Sequence, residues 1–248
     1  MKIEFIKVRR SKILPLIIAG PLLVVISGIA NLSQYFTPEY TNAWPAMFIQ
    51  SALLFAYYLL PFSMIVVCVM IAGRETQNNG IMKMLALPVS RQALALAKFC
   101  VLICYLFIEL AVFFIVFAIA GQAAVFTSGI TEALPLFYLL KWCAGLFLTM
   151  LPCTAVMWGL TVLFEKPLIS VGLNLLLVIP GLLAGATPYW FLYPYCYSGY
   201  LVSCSLHEFT SGGTDSIFRF FPFLPCAILI FGIALILSAV GFGKKEMR

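Results

Sequence analysis

Residues 74–98, RETQNNGIMKMLALPVSRQALALAK, form a charged, amphipathic interruption in a chain that is otherwise almost continuously apolar. Three of its apolar residues have the spacing of one helical face: Ile81, Met84 and Leu85. Pro88 ends that helix, and Ser90 is a candidate N-cap for a second helix that continues into the next apolar run. The pattern indicates either an ordinary interfacial loop helix or a small apolar surface on which a partner protein docks.

The composition places the chain in a membrane. Of its 248 residues, 63% are hydrophobic and 10% are charged, and the mean hydropathy is +1.08. A soluble domain of this length cannot bury so much apolar surface. Because about 20 apolar residues span a bilayer as a helix, we predict an all-α polytopic membrane protein in which residues 1–248 form a single transmembrane domain. The six predicted spans are residues 13–32, 46–72, 99–121, 136–163, 168–186 and 222–242.

The positive charges predict the orientation in the membrane. If the amino terminus is cytoplasmic, 13 of the 15 Lys and Arg residues lie on the inner side, and only Lys141 and Arg219 lie on or near the outer side. The inner set is Lys2, Lys7, Arg9, Arg10, Lys12, Arg74, Lys83, Arg91, Lys98, Lys166, Lys244, Lys245 and Arg248. We therefore expect both termini in the cytoplasm. These bases flank spans and form no groove-binding helix, so the net charge of +6 does not indicate a nucleic acid partner.

Residues 1–12, MKIEFIKVRRSK, are basic and partly amphipathic, with Ile3 and Ile6 on one face of a short helix. The stretch has the charge pattern of a signal peptide, but no small-residue cleavage site is evident and five further spans follow. We predict instead a helix along the inner membrane surface. It would lie beside residues 74–98, so that both segments form one cytoplasmic platform.

The segment 188–221 is the largest feature predicted on the outer side. It carries seven closely spaced aromatic residues: Tyr189, Trp190, Phe191, Tyr193, Tyr195, Tyr197 and Tyr200. It is too aromatic for a free loop and too interrupted by Pro194 and Gly199 for a clean span, so we predict a re-entrant or interfacial segment. The aromatic residues either anchor the fifth span or form an outer lid over a substrate path. The candidates for that path are Tyr189, Trp190, Tyr193 and Tyr195.

The sequence contains no catalytic or metal-binding constellation. Its one histidine, His207, stands beside Glu208, which does not suffice for a metal site, and no GxxxxGK phosphate loop occurs. We therefore expect no cofactor in this chain, and ATP hydrolysis only in a partner. Six of the eight cysteines lie in or at the ends of predicted spans. Cys196 and Cys204 share the outer segment and are either free thiols or a disulfide.

One acidic residue lies deep inside a predicted span. Glu109 follows Phe99 by ten residues, which is about 15 Å of helix and close to the bilayer midplane. A carboxylate facing lipid there is costly, so Glu109 should face the bundle interior, a subunit interface or a water-filled path, or be protonated. It either lines the route of a cationic substrate or makes a structural hydrogen bond to a neighbouring helix.

The layout resembles the membrane subunit of type-2 ABC exporters. The most specific part is the pattern E-x4-G-x2-K-x-L-x2-P-x-S-R, which here comprises Glu75, Gly80, Lys83, Leu85, Pro88, Ser90 and Arg91. The basic amino terminus, the two spans before this pattern and the re-entrant region before the sixth span complete the likeness. The length and the lack of a large outer domain are most similar to permeases of lantibiotic-immunity and antimicrobial-peptide-resistance transporters of Gram-positive bacteria.

The resemblance implies partners and a function. Such permeases pair as homodimers or heterodimers, and two ABC ATPase subunits, which bind ATP and Mg, dock on the cytoplasmic face. Residues 76–87 match the coupling helix of the family, and residues 2–12 match its connecting helix. The chain departs from the family at the turn 165–167, which is so short that it leaves little room for a second large cytoplasmic contact. The implied ATPase-docking residues are Glu75, Gly80, Ile81, Lys83, Met84, Leu85, Pro88 and Arg91. The implied function is removal of cationic antimicrobial peptides from the bacterial cell membrane.

Other functions remain open at this point. The same layout suits an exporter of a lipid, a drug or an ion. A secondary transporter would usually show paired broken helices in repeated halves, and we find no such repeat. A membrane enzyme would need a cluster of His, Asp or Glu that the sequence lacks. A membrane anchor without transport activity is a further alternative.

Overall fold

The structure of the protein, a computed structural model, describes residues 13–30, 51–76, 91–128, 136–164, 166–211 and 218–243. Within these ranges every regular element is a helix. The α-helices are α1 Ile13–Ala30, α2 Leu60–Thr76, α3 Arg91–Ser128, α4 Leu136–Leu163, α5 Pro167–Val178, α6 Gly181–Gly185, α7 Tyr197–Ser211 and α8 Phe220–Gly243. A π-helix, Phe55–Leu59, directly precedes α2. Two short 3-10 helices, Trp190–Leu192 and Pro194–Cys196, precede α7.

Five helical stretches are long and apolar enough to cross a membrane: Ser51–Gly73, Gln92–Ala123, Leu136–Leu163, Pro167–Gly185 and Phe220–Phe242. They correspond to five of the six predicted spans. The first predicted span, residues 13–32, contains a shorter apolar helix, Ile13–Gly28, and residues 31 and 32 lie outside the described part of the chain. The protein is therefore a multi-pass membrane protein, while the sixth span and the cytoplasmic position of the termini stay predictions.

The helix α4 is central in the described bundle. It packs against α2, α3, α5, α7 and α8, and its apolar stretch is the most buried of the five candidate spans. Gly159 of α4 faces the backbone of α8, since a Cβ at this glycine would be in ordinary van der Waals contact with the carbonyl oxygen of Ala234, at 3.6 Å. The helix α1 packs mainly against α3. α4 therefore links the first half of the chain to the second.

The predicted span 168–186 is not one continuous helix. α5 ends at Val178, and a turn at residues 179–180 separates it from α6. Pro180 has no N–H and cannot continue the helical hydrogen bonds, so carbonyl oxygens of the last turn need other donors. The hydroxyl of Tyr193 donates to the carbonyl oxygen of Leu177. The aromatic segment thus satisfies backbone groups that the break leaves open in an apolar environment.

Lys98 is buried near the start of α3. α3 begins at Arg91 and continues unbroken, which places Lys98 within the bundle beside α8. Its expected position toward the inner side of the membrane stays a prediction. Its side chain is 2% exposed, and its Nζ lies 5.7 Å from the centre of the Phe242 ring. The electron-rich face of that ring attracts the ammonium group and offsets part of the cost of burying it.

Candidate functional site

The predicted docking segment joins two helices, as expected from its pattern. α2 ends at Thr76 and α3 begins at Arg91. Residues 77–90 lie outside the described residues, and so do the predicted docking positions Gly80, Ile81, Lys83, Met84, Leu85 and Pro88. Glu75 and Arg91 are helical, but their side chains lie outside the description, as do residues 1–12. The ATPase-docking surface and the connecting helix therefore stay predictions.

Glu109 lies where three helices meet. It is fully buried on α3, near the middle of the Gln92–Ala123 stretch. Its Oε1 accepts a hydrogen bond from the Ser63 hydroxyl of α2 at 2.5 Å. Gly20 of α1 faces the same oxygen, since a Cβ there would lie 3.8 Å from it. Glu109 thus connects α3 to α2 directly beneath the backbone of α1.

The second carboxyl oxygen of Glu109 is the unusual feature of this contact. Glu109 Oε2 is buried and has no hydrogen-bond partner within the described ranges. A buried polar atom without a partner is costly. The structure places Glu109 inside the helix bundle and not in an open groove. Its role in a substrate path stays a prediction, and it would require α1, α2 and α3 to separate.

Trp190 is the centre of an aromatic cluster that closes one end of the bundle. Its ring stacks on Tyr200 of α7, with the ring centres 4.1 Å apart and the planes at 24°. It also contacts Phe223 of α8, with the centres 6.1 Å apart, and Phe218, with the centres 5.3 Å apart. Trp190 is only 6% exposed. Its ring therefore joins the 3-10 helices, α7 and α8, and it is a packing residue in this conformation.

Tyr195 reaches from the aromatic segment into the region of α5. Its hydroxyl donates to Asn174 Oδ1 at 2.8 Å, and Asn174 Nδ2 donates to the Ser170 carbonyl oxygen at 2.9 Å. The Ser170 hydroxyl continues the chain to Thr161 Oγ1 of α4 at 3.0 Å. All four side chains are buried. This polar chain shows that Tyr195 packs against α5, while the re-entrant shape of the segment stays a prediction.

Sequence reasoning did not single out Asn174 and Ser170. Their spacing of four residues in an apolar span places both on one face of α5, and that signal was available. Polar residues on one helical face within a membrane usually mark a contact with another helix. The identity of the partner, Tyr195, was not available, because it is 21 residues away across a helix break.

Tyr189 differs from the other predicted path residues. Its side chain is 68% exposed, whereas Trp190 and Tyr195 are buried, and Tyr193 is half-buried. Leu192 is also exposed, at 59%. Tyr189 is therefore the most exposed of the four candidates.

The first part of the aromatic segment, residues 188–204, contains no Asp, Glu, Lys or Arg, whereas Arg219 lies near the end of the segment. Burial raises the pKa of the Tyr200 phenol to about 12 and the pKa of the Cys196 thiol to about 12, so neither group ionises at physiological pH. Cys196 and Cys204 are both free thiols in the structure. The Cys196 thiol lies 3.0 Å from the carbonyl oxygen of Tyr193.

The described side chains form no metal site, since no group of three His, Cys, Asp or Glu residues lies close enough together there.

The sequence of residues 1–181 matches the model of a family described as ABC-2 family transporter protein. That match covers 181 of 248 residues. The chain belongs to the ABC-2 transporter family. No curated protein sequence matches it significantly.

Membership in the ABC-2 family confirms the coarser part of the resemblance drawn from residues 74–98. An ABC-2 permease is a membrane transport subunit, and it implies an ABC ATPase as partner. The chain itself carries no ATPase motif. The narrower likeness to lantibiotic-immunity permeases stays a prediction.

The ABC-2 match includes only part of the site. Glu109, Ser63 and the π-helix Phe55–Leu59 lie within the matched residues, which end at the first residue of α6. The aromatic segment and α8 lie beyond them. The family match therefore extends over the first spans and does not include the aromatic segment.

Proposed function

We propose that this ABC-2 permease is the membrane subunit of an ATP-driven exporter that removes lantibiotics or other cationic antimicrobial peptides from the bacterial cell membrane. The family match supports the exporter part of this proposal. The observation that carries the substrate class is the uncharged aromatic stretch 188–204, in which Tyr189 is exposed and Trp190 and Tyr195 are buried.

The chemistry of such peptides suits this segment. Cationic antimicrobial peptides are amphipathic and bind membranes through apolar faces and basic residues. Exposed aromatic rings contact apolar side chains and also attract ammonium and guanidinium groups through their π faces. A neutral surface holds such a peptide weakly enough to release it, whereas a carboxylate cluster would bind its charges strongly. We assign Tyr189 to first contact, and Trp190, Tyr193 and Tyr195 to the wall behind it.

The proposed assembly contains two permease chains, identical or homologous, and two ATPase subunits. Residues 76–87 would form the coupling helix and insert Ile81, Met84 and Leu85 into the ATPase, with residues 2–12 beside it. The positive charges near residues 74–98 and at both termini support a cytoplasmic position for these parts. Rigid elements are needed there, because closure of the ATPase dimer can act only on parts that it contacts.

Co-purification from the native membrane tests the partner. We expect an ABC ATPase to be recovered with this chain and to be lost when Ile81, Met84 and Leu85 are replaced together by alanine. A matched control replaces three exposed leucines of α5 and α6: Leu168, Leu176 and Leu183. The control should retain the ATPase, since it removes equal apolar volume from the membrane-facing surface. Recovery of the chain without an ATPase in every case would contradict the proposal.

A growth assay tests the substrate class. Deletion of the gene should lower the inhibitory concentration of nisin, a cationic lantibiotic, and the intact gene should restore it. Bacitracin and a neutral lipophilic drug serve as comparison compounds. Restored growth against the drug alone, with nisin sensitivity unchanged, would contradict the peptide proposal while leaving the ABC-2 exporter intact.

A further inference from the structure

Tyr57 of the π-helix lies in a slot between two glycines. A Cβ on Gly199 of α7 would stand 2.2–2.4 Å from ring atoms of Tyr57, which is impossible without displacement. A Cβ on Gly185 of α6 would stand 2.8 Å from the Tyr57 hydroxyl. That hydroxyl also lies 3.2 Å from Ser203 Oγ. The second span and the aromatic segment therefore meet in direct contact between a ring and the helix backbone.

Pro61 limits the backbone hydrogen bonds of the π-helix. The N–H of Leu60 binds the carbonyl oxygen of Phe55, five residues earlier. In the same register the next N–H, at residue 61, would bind Ala56, but residue 61 is proline and has none. The Ala56 carbonyl oxygen therefore lacks a donor within its own helix. An isolated π turn of this kind is uncommon and often coincides with a functional site.

Ser198 supplies the missing donor. Its hydroxyl donates to the Ala56 carbonyl oxygen at 2.8 Å, across a separation of 142 residues in the chain. Ser198 is 1% exposed and Tyr57 is 3% exposed, so water does not compete for this bond. The contact thus combines steric fit at Gly199 with a hydrogen bond at Ser198. Both contacts join the second span to the aromatic segment.

The second span also leads to the predicted docking segment. The helix is continuous from residue 51 to residue 76, and its last 17 residues, α2, extend about 25 Å. Residue 77, where the predicted docking segment continues, follows directly. One helix therefore connects the slot around Tyr57 to the segment that contacts the ATPase under the proposed function.

We propose that Tyr57, Ser198 and Gly199 are positioning residues that join the second span and the aromatic segment into one rigid unit. A displacement of residues 77–90 by the ATPase is then transmitted along α2 to the aromatic segment. This inference rests on the proposed function, because it takes residues 77–90 as the ATPase contact. Beyond the proposed function, the inference identifies the residues that transmit the movement and the aromatic segment as the part that receives it.

Distances in the reconstituted complex test the rigid unit. Spin labels are attached through unnatural amino acids at Leu54 and Leu192, both exposed, which leaves the eight native cysteines in place. A second pair joins Leu54 to Leu229 of α8, also exposed. We expect the 54–192 distance to be the same without nucleotide and with ATP trapped, while the 54–229 distance changes. A nucleotide-dependent 54–192 distance, or an unchanged 54–229 distance, would overturn the inference.

Variants separate positioning from folding. Ser198→Ala removes only a hydroxyl, and we expect it to make the 54–192 distance depend on nucleotide. Gly199→Ala should broaden that distance, because the added methyl group must displace the Tyr57 ring. Gly172→Ala is the matched control, because a Cβ at Gly172 has nothing within 4 Å. A Ser198→Ala distance that stays insensitive to nucleotide would overturn the inference.

A double-mutant cycle covers the case in which Gly199→Ala fails to fold. The three nearest atoms to a Cβ at Gly199 all belong to Tyr57. In a Tyr57→Ala background the clash is removed, so Gly199→Ala should have no further effect on thermal stability. An equal effect in both backgrounds would overturn the inference. Absence of the ATPase from the complex would instead contradict the proposed function, so that the two failures are distinguishable.

Discussion

The hydroxyl of Tyr195 donates a hydrogen bond to Asn174 Oδ1 at 2.8 Å, and both side chains are buried. Through this bond the aromatic segment is held against α5, which is otherwise apolar and largely exposed. Asn174 in turn binds the backbone of α5 at Ser170. In lipid neither polar group has water as an alternative partner, so each depends on the other.

Replacement of Asn174 by leucine should release the aromatic segment from α5. The Tyr195 hydroxyl then lacks its acceptor. We expect a coupling energy between Asn174→Leu and Tyr195→Phe of about 0.6 kcal/mol, and at most about 1.7 kcal/mol, as for other hydrogen bonds between membrane helices. Thermal unfolding of the two single variants and the double variant measures it. Strictly additive effects would show that the bond is absent in the membrane.

Ser63→Ala should destabilise the contact of α2 with α3. It leaves Glu109 without the donor that Oε1 now has, and an unpaired buried acceptor costs about 1–3 kcal/mol. The variant Ser63→Ala with Glu109→Leu removes both polar groups and should recover much of that stability. Denaturation in lipid nanodiscs measures these differences. A double variant that is less stable than Ser63→Ala alone would contradict this account.

Glu109→Gln separates the two roles predicted for this residue. Glutamine retains an oxygen and an N–H for Ser63 and the same length, so we expect normal folding and normal assembly. If Glu109 lines a path for a cation, export and coupled ATP turnover should fall in the variant. Transport that is equal to that of the native protein would leave Glu109 with the structural role alone.

Substitutions of the neighbours Trp190 and Tyr189 should affect different properties, namely stability for Trp190 and resistance to the peptide for Tyr189. Trp190→Ala empties the centre of the aromatic cluster and should cost about 3–5 kcal/mol of stability, whereas Trp190→Phe retains most of the packing. Tyr189→Ala removes an exposed ring and should change stability by less than about 0.5 kcal/mol. Thermal unfolding distinguishes these cases. If Tyr189 makes first contact with the peptide, Tyr189→Ala should lower nisin resistance while the protein remains fully folded. Unchanged resistance would support the alternative in which the aromatic residues anchor the fifth span.

Pro61→Ala tests whether Ser198 replaces the backbone donor that Pro61 lacks. An N–H at residue 61 allows the Ala56 carbonyl oxygen to be satisfied within its own helix. In the native background, Ser198→Ala should lower the free energy of unfolding by about 0.5–1.5 kcal/mol, the usual net value of one hydrogen bond. In the Pro61→Ala background, the same substitution should change the free energy of unfolding by close to zero. The comparison uses the melting temperatures of four proteins. Equal costs in both backgrounds would mean that Ser198 does not replace the missing backbone donor.

Hydropathy located five of the spans well because it is a local property. Residues 136–163 were predicted as a span, and α4 covers the same residues. The break at residues 179–180 was missed, although Pro180 was visible in the sequence, because an apolar composition extends through it. The burial of Lys98 was not visible in the sequence either, because it depends on contact with Phe242 of α8.

The candidate site was predicted less completely. Desolvation cost alone indicated that Glu109 would avoid lipid, and the structure places it in the bundle interior beside Ser63. The aromatic residues between 189 and 200 were predicted as a group, but the sequence could not separate exposed Tyr189 from buried Trp190. That difference depends on Phe218 and Phe223, which are more than 25 residues further along the chain.

By itself, the sequence determined that this protein is a helical membrane protein, where most of its spans lie and that residues 74–98 resemble an ABC-2 exporter. These properties follow from the transfer of consecutive residues into lipid and from a short local pattern. Only the tertiary structure decided that Tyr57 fits against Gly199, that Ser198 binds Ala56 and that Tyr195 binds Asn174. In an apolar medium all helices have similar surfaces, so their pairing depends on a few polar groups and small residues that come together only when the chain is folded.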